Sequence, residues 1–234
     1  MKRVIVKLSG EALAGAKSQS IDQASVEKIA KELVSLNKLG YQVGVVTGAG
    51  NIWRGRDALS FGMDKADADQ MGILATILNS LALQNTIIKL GAKAQVLTSI
   101  PVPTIAKLFK HQEAIQLMEE GVIVIFGGGT GLPFFTTDSC AALRAAEVKA
   151  EAILMAKNGV DGVYDDDPKV NKAAHRYEKL TYQEILTKNL HVMDATAAAL
   201  CQDNHIKTIV FDMNKPGNIT KVLDNPAIGT IIEN

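Results

Sequence analysis

Two hydrophobic periods alternate along this chain. Short, nearly continuous apolar runs at 4–8 (VIVKL), 41–48 (YQVGVVTG), 94–100 (AQVLTSI), 122–128 (VIVIFGG), 152–156 (AILMA), 208–213 (TIVFDM) and 229–233 (GTIIE) have the character of strands buried on both faces. Most are separated by stretches of helical period. Ser20 or Asp22 can cap a helix whose apolar positions Val26, Ile29, Ala30 and Leu33 follow that period, with Gly40 ending it. The first strand, this helix and the second strand make a βαβ unit, which requires a parallel pair and a right-handed crossover. The spacing predicts a long helix over 67–89 with Met71, Leu74, Leu78 and Leu81 on one apolar face and Ile73, Ile77 and Leu83 on another. A helix apolar on two sides is either central or at a subunit interface. The alternation as a whole predicts an α/β sandwich.

Residues 157–180 break the alternation. Two turn pairs, Asn158-Gly159 and Asp161-Gly162, precede the acids Asp165 to Asp167 and Pro168, so a long loop or hairpin excursion is expected there. Long ordered loops in compact domains are usually functional. No internal repeat or convincing linker interrupts the chain, and its 234 residues, 47% of them hydrophobic, are read as one domain over 1–234.

Charge narrows the classes of partner. Lys plus Arg and Asp plus Glu are 25 each, so the net charge is zero and no global field attracts DNA, RNA or an anionic membrane. Any anion site must be local. Cys140 and Cys201 have no metal-ligand spacing, which fits a reducing compartment. With no signal peptide and no uninterrupted apolar span of membrane length, a cytoplasmic protein is expected.

The charge that does not fit is Lys7, inside the first apolar run. A lysine is almost never fully buried without a partner, so its stem snorkels to water or its ammonium meets something anionic. Three turns after predicted strands offer such a place: KLSGE at 7–11, TGAGNIWRG at 47–55 and FGGGTGLPFFTTD at 126–138. In an open parallel sheet the loops at the carboxyl ends of strands line one crevice, and glycines there let backbone N–H groups approach phosphate oxygens. Neither a Walker P-loop nor a complete G-x-G-x-x-G fingerprint is present. Arg54 at the tip of the second turn suits a phosphate. Asp69, near the start of the long helix, reads equally well as a dipole-favoured acid or a ligand contact. Thr136 or Thr137 caps the next helix with Asp138 in its first turn, either a capping acid or one that orients a lysine or a hydrated Mg²⁺. Phe134-Phe135 is core, the reading a hydrophobic pair first suggests, or a surface for a planar base. His111, His175, His191 and His205 form no ligand set.

The ordered segments VIVKLSGEAL, GAGNIWRG, DADQMGILAT, GTGLPFFTTDSCAALRAAE, KNGVDGVYDDDP, VMDATA and DMNKPGNI resemble the motif series of the bacterial uridylate kinase family, within the amino acid kinase superfamily. The likeness spans essentially the whole chain. It implies a three-layer αβα sandwich with a central, mainly parallel twisted sheet. It further implies Mg²⁺-dependent transfer of the ATP γ-phosphoryl group to UMP, with Mg²⁺ held mainly through the ATP phosphates, in a homohexamer regulated by UTP and GTP. The resemblance assigns Lys7, Leu8, Ser9 and Gly10 to the ATP phosphates, with Gly50 and Arg54 beside them, and Asn158, Tyr164 and Asp167 to the adenosine pocket. It assigns Ala49, Asp69, Thr130, Gly131, Leu132, Pro133, Phe134, Phe135, Thr136 and Thr137 to UMP. Asp138 and Asp194 match acids that organise the site, so the catalytic set it implies is Lys7, Arg54, Asp138 and Asp194. Two departures stand out. Ala49 occupies a position where the family usually has glycine, which is strained there if positive φ is needed and mild if only its N–H is used. The segment AGAKSQSID (14–22) lacks the glycine-rich character often seen where the family binds GTP.

The expected chemistry is in-line phosphoryl transfer driven by positioning and charge neutralisation. A small-carboxylate or carbamate kinase of the same fold is the rival enzyme, and a nucleotide-sensing regulator the rival binding module. The Phe-Phe-Thr-Thr-Asp run argues against the first, and the intact set Lys7, Asp138 and Asp194 against the second.

Overall fold

A computed structural model describes residues 2–15, 20–55, 61–168, 170–190 and 192–234. Its elements in chain order are β1 (Arg3–Leu8), α1 (Gln23–Lys38), β2 (Gln42–Thr47), α2 (Lys65–Lys89), β3 (Ala94–Thr98), β4 (Lys107–Leu108), α3 (His111–Glu119), β5 (Ile123–Gly127) and α4 (Thr137–Glu147). These are followed by β6 (Ala152–Lys157), β7 (Val163–Tyr164), β8 (Arg176–Tyr177), β9 (Lys179–Leu180), α5 (Tyr182–Thr187), α6 (Ala195–Asp203), β10 (Lys207–Asp212), α7 (Asn218–Asp224) and β11 (Thr230–Ile232).

Among the described residues nine strands form one sheet in the order β4-β3-β5-β2-β1-β6-β10-β11-β9, and only its β10/β11 pair is antiparallel. Helices cover both faces, as buried strands without polar alternation require. One core layer joins Val4, Val6 and Leu8 of β1 to α1, α2 and α7, through residues such as Leu33, Leu83 and Ile219. The other joins Ile5, Val46, Phe126 and Met155 to α3, α4, α5 and α6, through Met118, Ala141, Ile185 and Ala198. This is the expected αβα sandwich.

Strand order explains the location of the crevice. The first half of the chain builds one side of β1, with β2 beside it and β5 set between β2 and β3, and the later strands β6 and β10 build the other. β1 is the middle strand, and the order reverses beside it, which is where ligand crevices open in parallel sheets. Lys7 stands one residue from the end of β1.

Several local expectations are refined. Asp22, not Ser20, caps α1, accepting from the Ser25 N–H at 2.8 Å. The long helix begins at Lys65, two residues earlier than expected, because Asp64 caps it through the Asp67 N–H at 3.0 Å. By length and composition α2 is the one helix among the described residues apolar enough to cross a membrane. It packs on the sheet through Ala75, Ile77, Leu83 and Ile87, and its buried Thr76, Asn79 and Ser80 all make hydrogen bonds inside the molecule. On its other face Leu74 and Leu78 are 53% and 52% exposed. The excursion at 157–180 contains the antiparallel β7/β8 hairpin. Of the segment 14–22, residues 16–19 lie outside the described residues, as does His191.

Candidate active site

The Lys7 ammonium lies 2.5 Å from Asp138 Oδ1, with the lysine 9% exposed. That contact answers the puzzle of a lysine in a buried strand, because the desolvated cation has a carboxylate beside it. Asp138 sits in the first turn of α4, where the helix dipole favours its charge. Thr136 is the cap, accepting from the N–H groups of Asp138 and Ser139. Ser9 Oγ and Thr47 Oγ1, at the ends of β1 and β2, are buried with no hydrogen-bond partner among the described residues. Together these polar atoms leave the mouth of the crevice prepared for a polar guest.

The first two glycine turns are packed backbone against backbone. A Cβ on Gly10 would fall 2.5 Å from the Gly50 nitrogen, and one on Gly48 would fall 2.8 Å from the Gly10 nitrogen. Glycine is required there for close approach rather than for positive φ. Ala49 between them has no positive φ, so alanine is accommodated without backbone strain. An asparagine pair locks the second turn to α2: Asn79 Nδ2 donates to the Gly48 carbonyl at 2.8 Å, and Asn51 and Asn79 exchange side-chain hydrogen bonds at 2.8 and 3.0 Å. Arg54 donates to the Gly50 carbonyl at 3.0 Å and pairs with Glu11 at 2.8 Å.

The third turn curls over the start of α2. Thr76 Oγ1 accepts from the Gly128 N–H at 2.9 Å, and Asp69 Oδ2 accepts from the Phe134 N–H at 2.8 Å. Asp69 also pairs with Lys65 at 2.9 Å. Phe134 has φ +68°, a left-handed backbone unfavourable for a bulky residue, and the Asp69 bond holds it there. Phe134 and Phe135 are 65% and 48% exposed, which overturns the core reading. The bent loop carries both rings outward. Ala49, Gly50, Arg54, Asp69, Thr130, Leu132, Phe135, Thr136 and Thr137 line one cavity of about 290 Å³. Gly131, Pro133 and Phe134 belong to the same loop but lie outside that lining.

Tyr164 and Asp167 line a second cavity of about 480 Å³ with Asp165, Asp166, Lys157, Lys188 and Val192. The Tyr164 hydroxyl donates to Asp161 Oδ1 at 2.7 Å, and that bond raises its pKa. Asn158 is directed elsewhere. It accepts from Asn214 at 2.7 Å and lines a smaller cavity of about 180 Å³ beside Glu11 and Met213. Leu8 contributes backbone only, its side chain being fully buried in the core.

Asp194 ties the third turn to α6. Its carboxylate accepts from the Thr136 hydroxyl, from the Ser139 hydroxyl at 2.9 Å and from the Ala197 N–H at 2.9 Å, which caps α6. Burial pushes its pKa up, but the hydrogen bonds from Thr136, Ala197, Ser139 and Thr196 outweigh it and hold the carboxyl below its ordinary value. A depressed carboxylate stabilises the fold fully above its unfolded pKa and loses that contribution as pH falls through the folded value. The thermal midpoint of the unsubstituted chain should therefore exceed that of Asp194→Asn near neutrality, with the gap closing as the pH falls through and below the ordinary aspartate range. A gap independent of pH would refute this role.

Three participants escaped the sequence reading. Lys157 ends β6 and donates to the Val192 carbonyl at 2.6 Å; burial pulls its pKa below the usual lysine range, against the pull of Asp138 and with that of Lys7. Its signal was a lysine closing an apolar run, the same signal as Lys7. Asn79 was an amide inside an apolar helix, and Glu11 a glutamate beside a glycine turn. Burial pushes both cysteine thiols up to about 11, so neither is a ready nucleophile.

The chain belongs to the amino acid kinase family, whose model matches residues 2–212. Within it, the chain is 51% identical to a uridylate kinase of Limosilactobacillus reuteri, covering 99% of this chain and 97% of that protein. It is also similar to the crystal structure of UMP kinase from Bacillus anthracis, with a TM-score of 0.96, 42% identity and coverage of 99% and 96%. UMP kinase from Ureaplasma parvum matches with a TM-score of 0.95 and 44% identity over 100% of this chain and 99% of that one.

Proposed function

We propose that this chain transfers the γ-phosphoryl group of ATP to UMP, giving UDP and ADP. The observation that carries the reading is the Lys7–Asp138 pair at the middle strand's carboxyl end, in a chain whose three loops and flanking cavities follow a full-length likeness to uridylate kinases. The cavity under the third turn takes UMP, and the cavity of Tyr164 and Asp167 takes the adenosine end of ATP. Lys7 lies toward the transferred group, and Arg54, now held by Glu11, is the second cation within reach of phosphates.

UMP already carries an anionic phosphate at neutral pH, so the acceptor needs no strong general base. The protein's part is to align donor and acceptor and to neutralise charge on the transferred group. Lys7 supplies that charge, the N–H groups of the close-packed glycine turns and the α4 N-terminus add dipoles, and Asp138 keeps the lysine aimed. Asp194 acts through Thr136 and Ser139 as a positioning residue. Among the described residues no cluster of three or more acidic, histidine or cysteine side chains could hold a metal alone. Mg²⁺ fits this site as a hard cation that would be carried mainly by phosphates, with Asp138, the acid beside Lys7, available to orient it. When bound it would neutralise phosphate charge.

One coupled assay tests the reading: ATP and Mg²⁺ with UMP, CMP, glutamate or carbamate as acceptor. UDP formation well above every other product is expected. Preferential turnover of glutamate or carbamate would favour the rival kinase, and no product from any acceptor a regulator. We further propose one domain over 1–234, in the cytoplasm, and a homo-oligomer, the hexamer of the resemblance, in which the exposed Leu74 and Leu78 face of α2 is covered by a second copy. Light scattering at micromolar concentration should give an oligomer, and a clean monomer would count against that surface. Regulation by UTP and GTP is proposed from the resemblance alone.

A further inference from the structure

Lys157 sits in the same setting as Lys7. Met155 pairs with Lys7 across the β1/β6 register, and Lys157 lies two residues further along β6. Side chains two apart on a strand share a face, so Lys7 and Lys157 project from neighbouring strands into the layer that holds Asp138. Lys7 has Asp138 as its counter-charge, whereas Lys157, among the described residues, has no carboxylate within ion-pair distance. Among the described residues its ammonium meets only the Val192 carbonyl, at 2.6 Å, which occupies one of its three donors. A half-buried ammonium left with two free donors beside a cavity is prepared for an anion.

The cavity it faces needs such a cation. Asp165, Asp166 and Asp167 share its lining, and their charge would repel a polyphosphate. Lys188, the other lysine of the lining, is engaged with Glu184 at 3.1 Å. Lys157 is absent from the lining of the cavity under the third turn, so its partner is on the donor side.

We propose that Lys157 binds the phosphate chain of the donor nucleotide, bridging between Lys7 at the transferred group and the Tyr164 cavity at the nucleoside end. This rests on the reading of the chain as an ATP-dependent kinase and adds a residue that reading did not contain. Lys157 keeps its bond to Val192 and turns its remaining donors onto phosphate oxygens.

The test compares Lys157→Met, Lys157→Gln and Lys157→Arg in the full chain. Losing a charge-assisted bond should raise the KM for ATP about ten- to a hundredfold in Met and Gln, while the KM for UMP changes by less than about twofold. Arginine should recover most of the loss. Calorimetric titration of ADP without acceptor should show the same ranking, and it reads nucleotide binding even if UMP is not the acceptor. Glutamine can still donate to the Val192 carbonyl, so it separates charge from support of that backbone should the methionine variant fail to fold. Unchanged ATP KM and ADP affinity in the glutamine variant, or an arginine variant as defective as the neutral ones, would overturn the proposal.

Discussion

Lys7→Met is expected to lower turnover by about 100- to 1,000-fold while the protein remains folded. The side chain lies inside the core layer of the middle strand, and methionine matches its length without its charge. In the proposed reaction its loss strips the transferred group of a protein cation. The fold should persist because Asp138, left behind, sits in the first turn of α4 where the dipole still favours its charge, and because Ile5, Val6 and Leu8 remain fully buried on β1. Circular dichroism and a thermal melt check the fold, and a steady-state UDP assay checks turnover. A folded variant with near-normal turnover would remove Lys7 from the role assigned to it.

Gly10→Ala is the second large effect expected. The added methyl would fall 2.5 Å from the Gly50 nitrogen and 2.7 Å from Asn51 Oδ1, so the first two turns must part. Neither neighbour is the free end of a flexible chain. One is backbone, and the other is held in the Asn51–Asn79 pair. If these turns hold phosphates as proposed, a displacement near 1 Å there is enough to lower kcat/KM about 100-fold. Stability should suffer less than activity, since the displaced atoms lie at the strand ends and not beneath the sheet. Normal kinetics in Gly10→Ala would show that the close packing of the two turns has no catalytic consequence.

How much of this was legible beforehand differs by feature. Each long strand announced itself through a continuous apolar run, since burial on both faces leaves no room for polar alternation. Lys7 was conspicuous for the same reason, as a charge where the pattern permits none. The hairpin excursion was legible from its turn pairs. For Phe134-Phe135 the sequence left core and surface both open, with core first because hydrophobicity alone predicts burial; the loop's path, with Phe134 left-handed and hooked by Asp69, carries both rings out. The resemblance groups Asn158 with Tyr164; in the structure its side-chain oxygen accepts from Asn214 and it lines a cavity of its own beside that of Tyr164, a relation that only packing shows. The Ala49 question had no answer from a single sequence. It depends on one backbone angle, set by how tightly the flanking glycines approach the first turn.

From the order of residues alone came the layered α/β class, the three turns that converge on a crevice, and a lysine that demanded an anionic partner, because periodicity and the cost of burying charge are properties of local sequence. The identity of that partner came only with the tertiary structure. Asp138 is 131 positions away along the chain, on a helix that the sheet order brings over the middle strand. The pairing of Gly10 with Gly50, the Asn51–Asn79 lock and the shared face of Lys7 and Lys157 were likewise decided by packing and register, which join residues that no local pattern connects.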